Sequence, residues 1–189
     1  MNGTNYSFDV IGFNHDELTT PTAYGATTAT RKAGITFQMH DLYATTYEMN
    51  FSDTNSSGWK SSAMRTSTMP TMKGYMPNDW GTIIKLVNKA SGLGGGSTSG
   101  TEIVSDDCFL LAEVEVFGNI TTSISGEGMQ YAYYKSNSTV KNKGGSRYTW
   151  WERSPVSGSS GDFCRVLIDG SAARDAADFL YGVAFAFCV

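Results

Sequence analysis

Clustered positive charge is missing from this sequence. Its 14 Lys and Arg are scattered, outnumbered by 18 Asp and Glu, and leave a net charge of -4. The electrostatic footprint that a phosphate backbone requires is absent, so no nucleic acid partner is expected. Only two histidines occur, His15 and His40, each followed by an aspartate; a two-histidine metal site would need the fold to bring them together. Three cysteines, Cys108, Cys164 and Cys188, form an odd set without metal-ligand spacing. Cys108 and Cys188 lie in apolar runs, so buried reduced thiols acting as small hydrophobes are expected, with a Cys164–Cys188 disulfide as the alternative. Phosphate-binding loops, dinucleotide fingerprints and Cys-x-x-Cys pairs are all missing, and Gly94-Gly95-Gly96 has neither the lysine nor the following helix that a phosphate cradle needs. The N-terminal Met1-Asn2-Gly3-Thr4-Asn5 has no basic segment followed by an apolar stretch, so neither a signal peptide nor membrane insertion is expected.

What the chain has in quantity is aromatic and small residues: ten Tyr, four Trp and 21 Gly, beside abundant Ser and Thr. That mixture suits extracellular or virion β-proteins and adaptable binding surfaces. The 189 residues, 40% of them hydrophobic, support one sizeable core, and 1–189 reads as a single ligand-binding domain. Alternation of apolar and polar residues predicts strands over 6–13 and 33–39, joined by a long Thr-rich connection, so that 1–30 forms an N-terminal strand and connection. Ser residues in 58–69 predict a short helix that Pro70 stops. Asn78 or Asp79 caps a second helix, in which Trp80, Ile83, Ile84 and Val87 turn one apolar stripe to the core and Gly92 lies just past the end. Residues 91–100 (SGLGGGSTSG) bury too little apolar area to offset their ordering entropy and read as a flexible surface loop.

Strands are predicted over 107–118, 147–153, 163–168 and 182–189, with 125–145 as a polar excursion and Asp169-Gly170 as a turn. In the last strand Val183, Phe185, Phe187 and Val189 share a face. Ala184, Ala186 and Cys188 form the other, and their small size implies close approach of a neighbouring element. Two short helices early and strands concentrated late make an α+β domain.

Catalytic constellations are thin. A hydrolytic triad needs a nucleophile set against a histidine and a third group, yet no Ser sits in a strained strand-to-helix turn and no Cys is near a His in sequence. Glu113 and Glu115 share a face of a predicted strand, as a carboxylate pair would, although alternate acids more often form a strand's wet side. Arg153, after two tryptophans, either contacts an anionic ligand or bonds backbone carbonyls or an acid through its planar fork. Tyr131, Tyr133 and Tyr134 serve as ligand platforms, cover the side of the core or form a subunit contact.

Trp150-Trp151-Glu152-Arg153-Ser154-Pro155, then Phe163-Cys164, Asp169-Gly170-Ser171 and Gly182 to Val189 (GVAFAFCV) carry a resemblance. In these residues the chain resembles a family of gut-bacterial and prophage proteins with a C-type-lectin-like fold. That family is related in fold to the formylglycine-generating enzymes and to the variable proteins of diversity-generating retroelements, including phage tail tropism determinants. Upstream, Trp59, Ser62, Met64 and Arg65 look like its first helix, Asp79 to Val87 its second, and Asp107 to Glu115 (DCFLLAEVE) its central strand, so the match covers most of the chain from about residue 30 onward.

The resemblance implies two short helices, a mainly antiparallel twisted sheet and a variable face near the C-terminus, with 154–182 as the candidate variable region. In the retroelement proteins, replacement of adenines in asparagine codons never yields Lys, Glu, Gln, Met or Trp. From Ser154 to Val189 this chain contains none of those five, whereas the part before it holds all eight Met and all four Trp; exclusion by packing of small residues is the alternative. The resemblance thus implies ligand-binding positions at Val156, Gly158, Gly161, Asp162, Arg165, Leu167, Ile168, Ala173, Arg174, Asp175, Asp178, Phe179 and Leu180, between framework residues such as Phe163, Cys164, Gly170 and Ala177. Adjacency of Leu167 and Ile168 supports this, since both cannot point into the core of a simple strand.

The expected function is non-catalytic binding of a host-surface protein or glycan receptor on a virion tail or bacterial cell exterior, with multivalent homo-oligomers supplying avidity. A structural virion or assembly protein, or a formylglycine-generating-type enzyme, is the alternative. No cofactor is expected, and no cluster of Glu, Asn and Asp in the C-terminal loops points to calcium.

Overall fold

A computed structural model of the chain describes residues 1, 3–19 and 31–189; residues 20–30 of the Thr-rich connection lie outside it. Strand β1 (Phe8–Phe13) pairs antiparallel with β2 (Ile35–Met39), Phe8 opposite Met39 and Phe13 opposite Ile35. Gly12, beside a register irregularity in β1, leaves room for Tyr131, whose ring would stand 2.9 Å from an added Cβ. β10 (Ala186–Cys188) completes this sheet on the other side of β2. Only these three residues of the strand predicted over 182–189 form a ladder, yet Gly182 to Cys188 are all buried. The small face admits close neighbours as expected: Phe109 exchanges backbone hydrogen bonds with Ala186, and Gln38 Nε2 donates to Ala184 O at 3.1 Å. On the large face Phe185 and Phe187 pack edge-on against Phe8, and Trp80 against Phe187.

Both early helices differ from their predicted extents. Met64–Thr68 forms a π-helical turn that runs directly into α1 (Met69–Gly74), burying Met64, Met69 and Met72. Pro70 lies where the π-helical turn passes into α1 and does not stop the helix, because the i→i+5 bond there already interrupts the i→i+4 ladder that its missing N–H would have joined. α2 (Trp80–Ile83) is a single turn. The predicted stripe dissolves: Ile83 is exposed and Val87 belongs to β3 (Val87–Gly92), which pairs with β4 (Thr101–Asp106) along six residues. Thr82, Ile83 and Ile84 lose side-chain freedom in a helix, so the β-ladder wins beyond the first turn.

The loop between β3 and β4 is tied down where flexibility was expected. Gly95 N–H donates to Asn55 Oδ1, Gly96 N–H to Ser159 O, and Gly158 N–H to Ser97 O. Gly94 has φ +68 and an added Cβ would lie 2.0 Å from Asn55 O, so only glycine fits this approach.

The central strand predicted over 107–118 is corrected. Cys108 to Ala112 run extended through the core, and Glu113–Phe117 then form a helix, α3. Glu115 Oε2 accepts the Ala112 N–H at 3.0 Å, which caps the start, and Gly118 at φ +74 ends it. The Glu-Val-Glu-Val alternation imitates a strand because five residues are too few for period 2 and period 3.6 to separate.

Downstream, β5 (Lys141–Lys143) and β6 (Ser146–Tyr148) form a hairpin, and β7 (Trp150–Pro155), β8 (Asp162–Val166) and β9 (Ala172–Ala176) form an antiparallel sheet in that order. Short helices and several small antiparallel sheets make the chain α+β. The polar stretch 125–145 is no excursion from the core: Tyr131 and Tyr134 are buried in it.

Candidate functional site

The base of the C-terminal sheet is a buried charge network centred on Arg153 in β7. Its Nη1 donates to Leu110 O (2.9 Å) and Glu115 Oε2 (2.5 Å), its Nη2 to Ala90 O, Glu115 Oε1 and Glu127 O, and its Nε to Ala90 O. Arg153 is the core fork, not an anion contact: it is fully buried and pins β3, the extended 108–112 segment, α3 and the 127 loop to one strand. Burial alone would lower its pKa, but Glu115 reverses that and holds it above the ordinary arginine value. Glu115 passes the network to Lys89, whose Nζ donates at 2.7 Å to Glu115 Oε1 and at 2.7 Å to Asp16 Oδ1; the Tyr131 hydroxyl also donates to Asp16.

Glu113 and Glu115, expected on a wet strand face, are both buried. The Glu113 carboxylate accepts the backbone N–H groups of Thr121, Thr122 and Ser123, which fixes the turn after α3. Glu152 is the outlier: it is fully buried and neither carboxylate oxygen has a hydrogen-bond partner among the described residues. Burial, reinforced by Glu113 and Glu127, pushes its carboxyl well above the usual range.

The folded chain therefore keeps a proton on Glu152 that the unfolded chain sheds above pH about 4. That makes stability fall as pH rises from there. Glu152→Met is expected to stabilise the protein by about 1–3 kcal/mol at pH 7, the cost of an unsatisfied buried polar group. The gain should shrink toward pH 4, and urea titrations at both pH values measure it; a destabilisation at pH 7 would overturn the assignment.

The two histidines are not brought together. His15 follows the end of β1, while His40 follows β2 and bonds Asp9 near the start of β1, so the length of the pair, about 20 Å by strand rise, separates them. His15, Asp16 and Glu115 do place possible ligand atoms within 4.8 Å of one another. The Lys89 ammonium already lies between the two carboxylates, as a cation would. The three cysteines are free and buried. Cys164 Sγ contacts Thr122 Oγ1 and Cys188 Sγ contacts Thr36 Oγ1, in separate parts of the core, and burial pushes both thiols up, which favours the unreactive protonated form.

The positions of the expected binding face that lie on the β8–β9 hairpin fall on its two opposite sides. Register pairs Phe163 with Asp175, Cys164 with Arg174 and Arg165 with Ala173, and side chains alternate along each strand. On one side Arg165 Nη2 meets Asp175 at 2.9 Å and its guanidinium lies 4.5 Å from the centre of the Tyr181 ring. Tyr181 donates its hydroxyl to Asp175 (2.7 Å) and stacks on Phe179. Phe179, Leu180 and, at the hairpin end, Ile168 are more than half exposed, Asp178 is exposed and Leu167 and Ala173 are half-buried. On the other side Arg174 reaches toward Asp162.

Two expected positions belong elsewhere. Val156 is buried, 3% exposed, where β7 turns inward. Gly158 holds φ +73 and donates its N–H to Ser97 O, so it is part of the frame. Gly161 is half-buried, and a Cβ there would meet the Asp53 side chain.

Sequence reasoning missed the Asp16–Lys89–Glu115–Tyr131 chain and the Thr121–Ser123 turn. A weak signal existed in Lys89, a lone charge at an inward position of Val87-Asn88-Lys89-Ala90-Ser91. No curated protein and no solved structure matches the chain. A family model does, described as a domain of unknown function, DUF6273, and it covers residues 34–189, from β2 to the end of the last strand. By that match over most of its length the chain belongs to the DUF6273 family.

Proposed function

We propose that this protein is a non-catalytic receptor-binding module with a C-type-lectin-like fold, of the kind found in phage or prophage tail adhesins and retroelement-variable proteins. The observation that carries the reading is the contrast between a sealed frame and an open face. Arg153, Trp150, Trp151 and Phe163 are completely buried in the sheet, while Arg174, Asp178, Phe179 and Leu180 are exposed on and just after the β8–β9 hairpin, with Arg165 partly covered among them. Side chains there can be exchanged without opening a cavity in the core. Aromatic and arginine anchors beside an acid suit a protein or glycan receptor, and modest single-site affinity is compensated by several copies.

The test is attachment of the purified chain to host surfaces and to a glycan array. Arg165→Ala and Phe179→Ala are each expected to weaken binding by about ten-fold, the effect of losing an anchor of 1–2 kcal/mol. Attachment unchanged by both variants would favour a structural virion or assembly role. Closely related gene copies should differ mainly at the accessible positions; differences spread evenly along the chain would remove the diversification claim. Oxidation of a thiol substrate abolished by Cys164→Ser would instead point to formylglycine-generating-type chemistry.

A further inference from the structure

Between the turn after α3 and the β8–β9 hairpin lies an open depression of about 500 Å³, lined by Thr121, Thr122, Ser123, Val156, Ser157 and Arg174. Arg174 is the one charge in that lining. Its side chain is 57% exposed, and its acidic neighbour Asp162 stands at 3.6 Å, too far for a hydrogen bond. Two of the hydroxyls around it are uncommitted. Thr121 and Ser157 make no side-chain hydrogen bond among the described residues. Thr122 Oγ1 is taken up by Glu113 and Cys164, and Ser123 Oγ is buried beside Glu127. The backbone N–H groups of 121–123 turn inward to Glu113, which leaves the hydroxyls of Thr121 and Ser157 for the opening.

A guanidinium with spare donors forms short charge-assisted bonds to a carboxylate or sulfate. Free hydroxyls exchange hydrogen bonds with ring hydroxyls, and the volume falls in the range of small-molecule sites. We infer that this depression binds an acidic saccharide, with the sugar's carboxylate or sulfate on Arg174 and its hydroxyls on Thr121 and Ser157. The inference rests on the binding reading above only in taking Arg174 as ligand-facing; the aromatic cluster of Arg165, Phe179 and Tyr181 lies on the opposite side of the hairpin.

The experiment is an NMR titration of the full chain with 3′-sialyllactose, a sulfated disaccharide, lactose and inorganic sulfate. Both acidic sugars should shift the amides of Thr121, Thr122 and Ser157 saturably, and more tightly than lactose or sulfate. Arg174→Gln should weaken them at least ten-fold, and Thr121→Val with Ser157→Ala several-fold. Absence of saturable shifts, equal binding of lactose, or indifference to Arg174→Gln overturns the site. Inorganic sulfate binding as tightly as the sugars overturns the saccharide assignment. If host attachment survives Arg165→Ala and Phe179→Ala while the Arg174-dependent shifts persist, the receptor-binding reading of the aromatic side fails and this site stands.

Discussion

Arg153→Met is expected to lower stability by about 3–5 kcal/mol, the loss typical of breaking a buried ion pair from one side. The variant keeps much of the apolar volume but strips every donor from the centre of the frame. Glu115 loses its bidentate partner, and the carbonyls of Ala90, Leu110 and Glu127 lose theirs. Leu110, Glu115 and Glu127 are buried, so the desolvation cost of their abandoned acceptors adds to the lost attraction. Arg153→Lys should recover little, because an ammonium cannot span acceptors on four segments that a planar fork of five N–H groups reaches together. Urea unfolding should show a lower midpoint with an unchanged slope. A loss under about 1 kcal/mol for Arg153→Met would mean that the network does not hold the frame.

Lys89→Met is the second large effect, and its sign with pH is diagnostic. In the native chain burial would raise Asp16, but the charge and hydrogen bond of Lys89, with a bond from Thr36, outweigh it and hold the carboxyl well below the usual range. Glu115 is likewise lowered against its burial by Arg153 and Lys89. Stability from these two acids is therefore complete above pH about 4, where the unfolded carboxyls ionise, and is lost as pH falls through the lower folded values.

Without the ammonium, burial governs Asp16, with Glu115 beside it, and its carboxyl moves up. The folded variant then retains a proton that the unfolded chain releases, so its stability falls as pH rises above about 4. The expected loss is about 3–5 kcal/mol at pH 7 and less at pH 5, read from urea midpoints at the two pH values. An equal loss at both would show that Lys89 contributes packing and its contact with the Phe109 ring, not charge compensation.

Much of the architecture was legible because apolar patterns and turn residues act locally. The alternation at Phe8 to Phe13, the Asp169-Gly170 turn and the two-faced GVAFAFCV segment each constrain a few neighbouring bonds. What failed had competing local solutions. Glu113 to Phe117 is too short for its period to choose helix over strand. Pro70 is harmless where a π-helical turn already interrupts the i→i+4 ladder, and Val87 followed a β-ladder whose partner lies some 20 residues away at Asp106. The β8–β9 hairpin lies within the stretch free of Lys, Glu, Gln, Met and Trp, but composition did not tell that alternation sends Arg165 and Arg174 to opposite sides of it.

By itself the sequence determined that this is an α+β chain with aromatic-rich strands and a compositionally distinct C-terminal stretch, because composition and periodicity are properties of neighbours along the chain. Only the tertiary structure decided which charges are buried and what they meet. Asp16, Lys89, Glu115 and Arg153 are far apart in sequence, and their pairing depends on long-range contacts that bring four segments to one point. A buried charge needs its partner in place, and that partner is a fact of three dimensions.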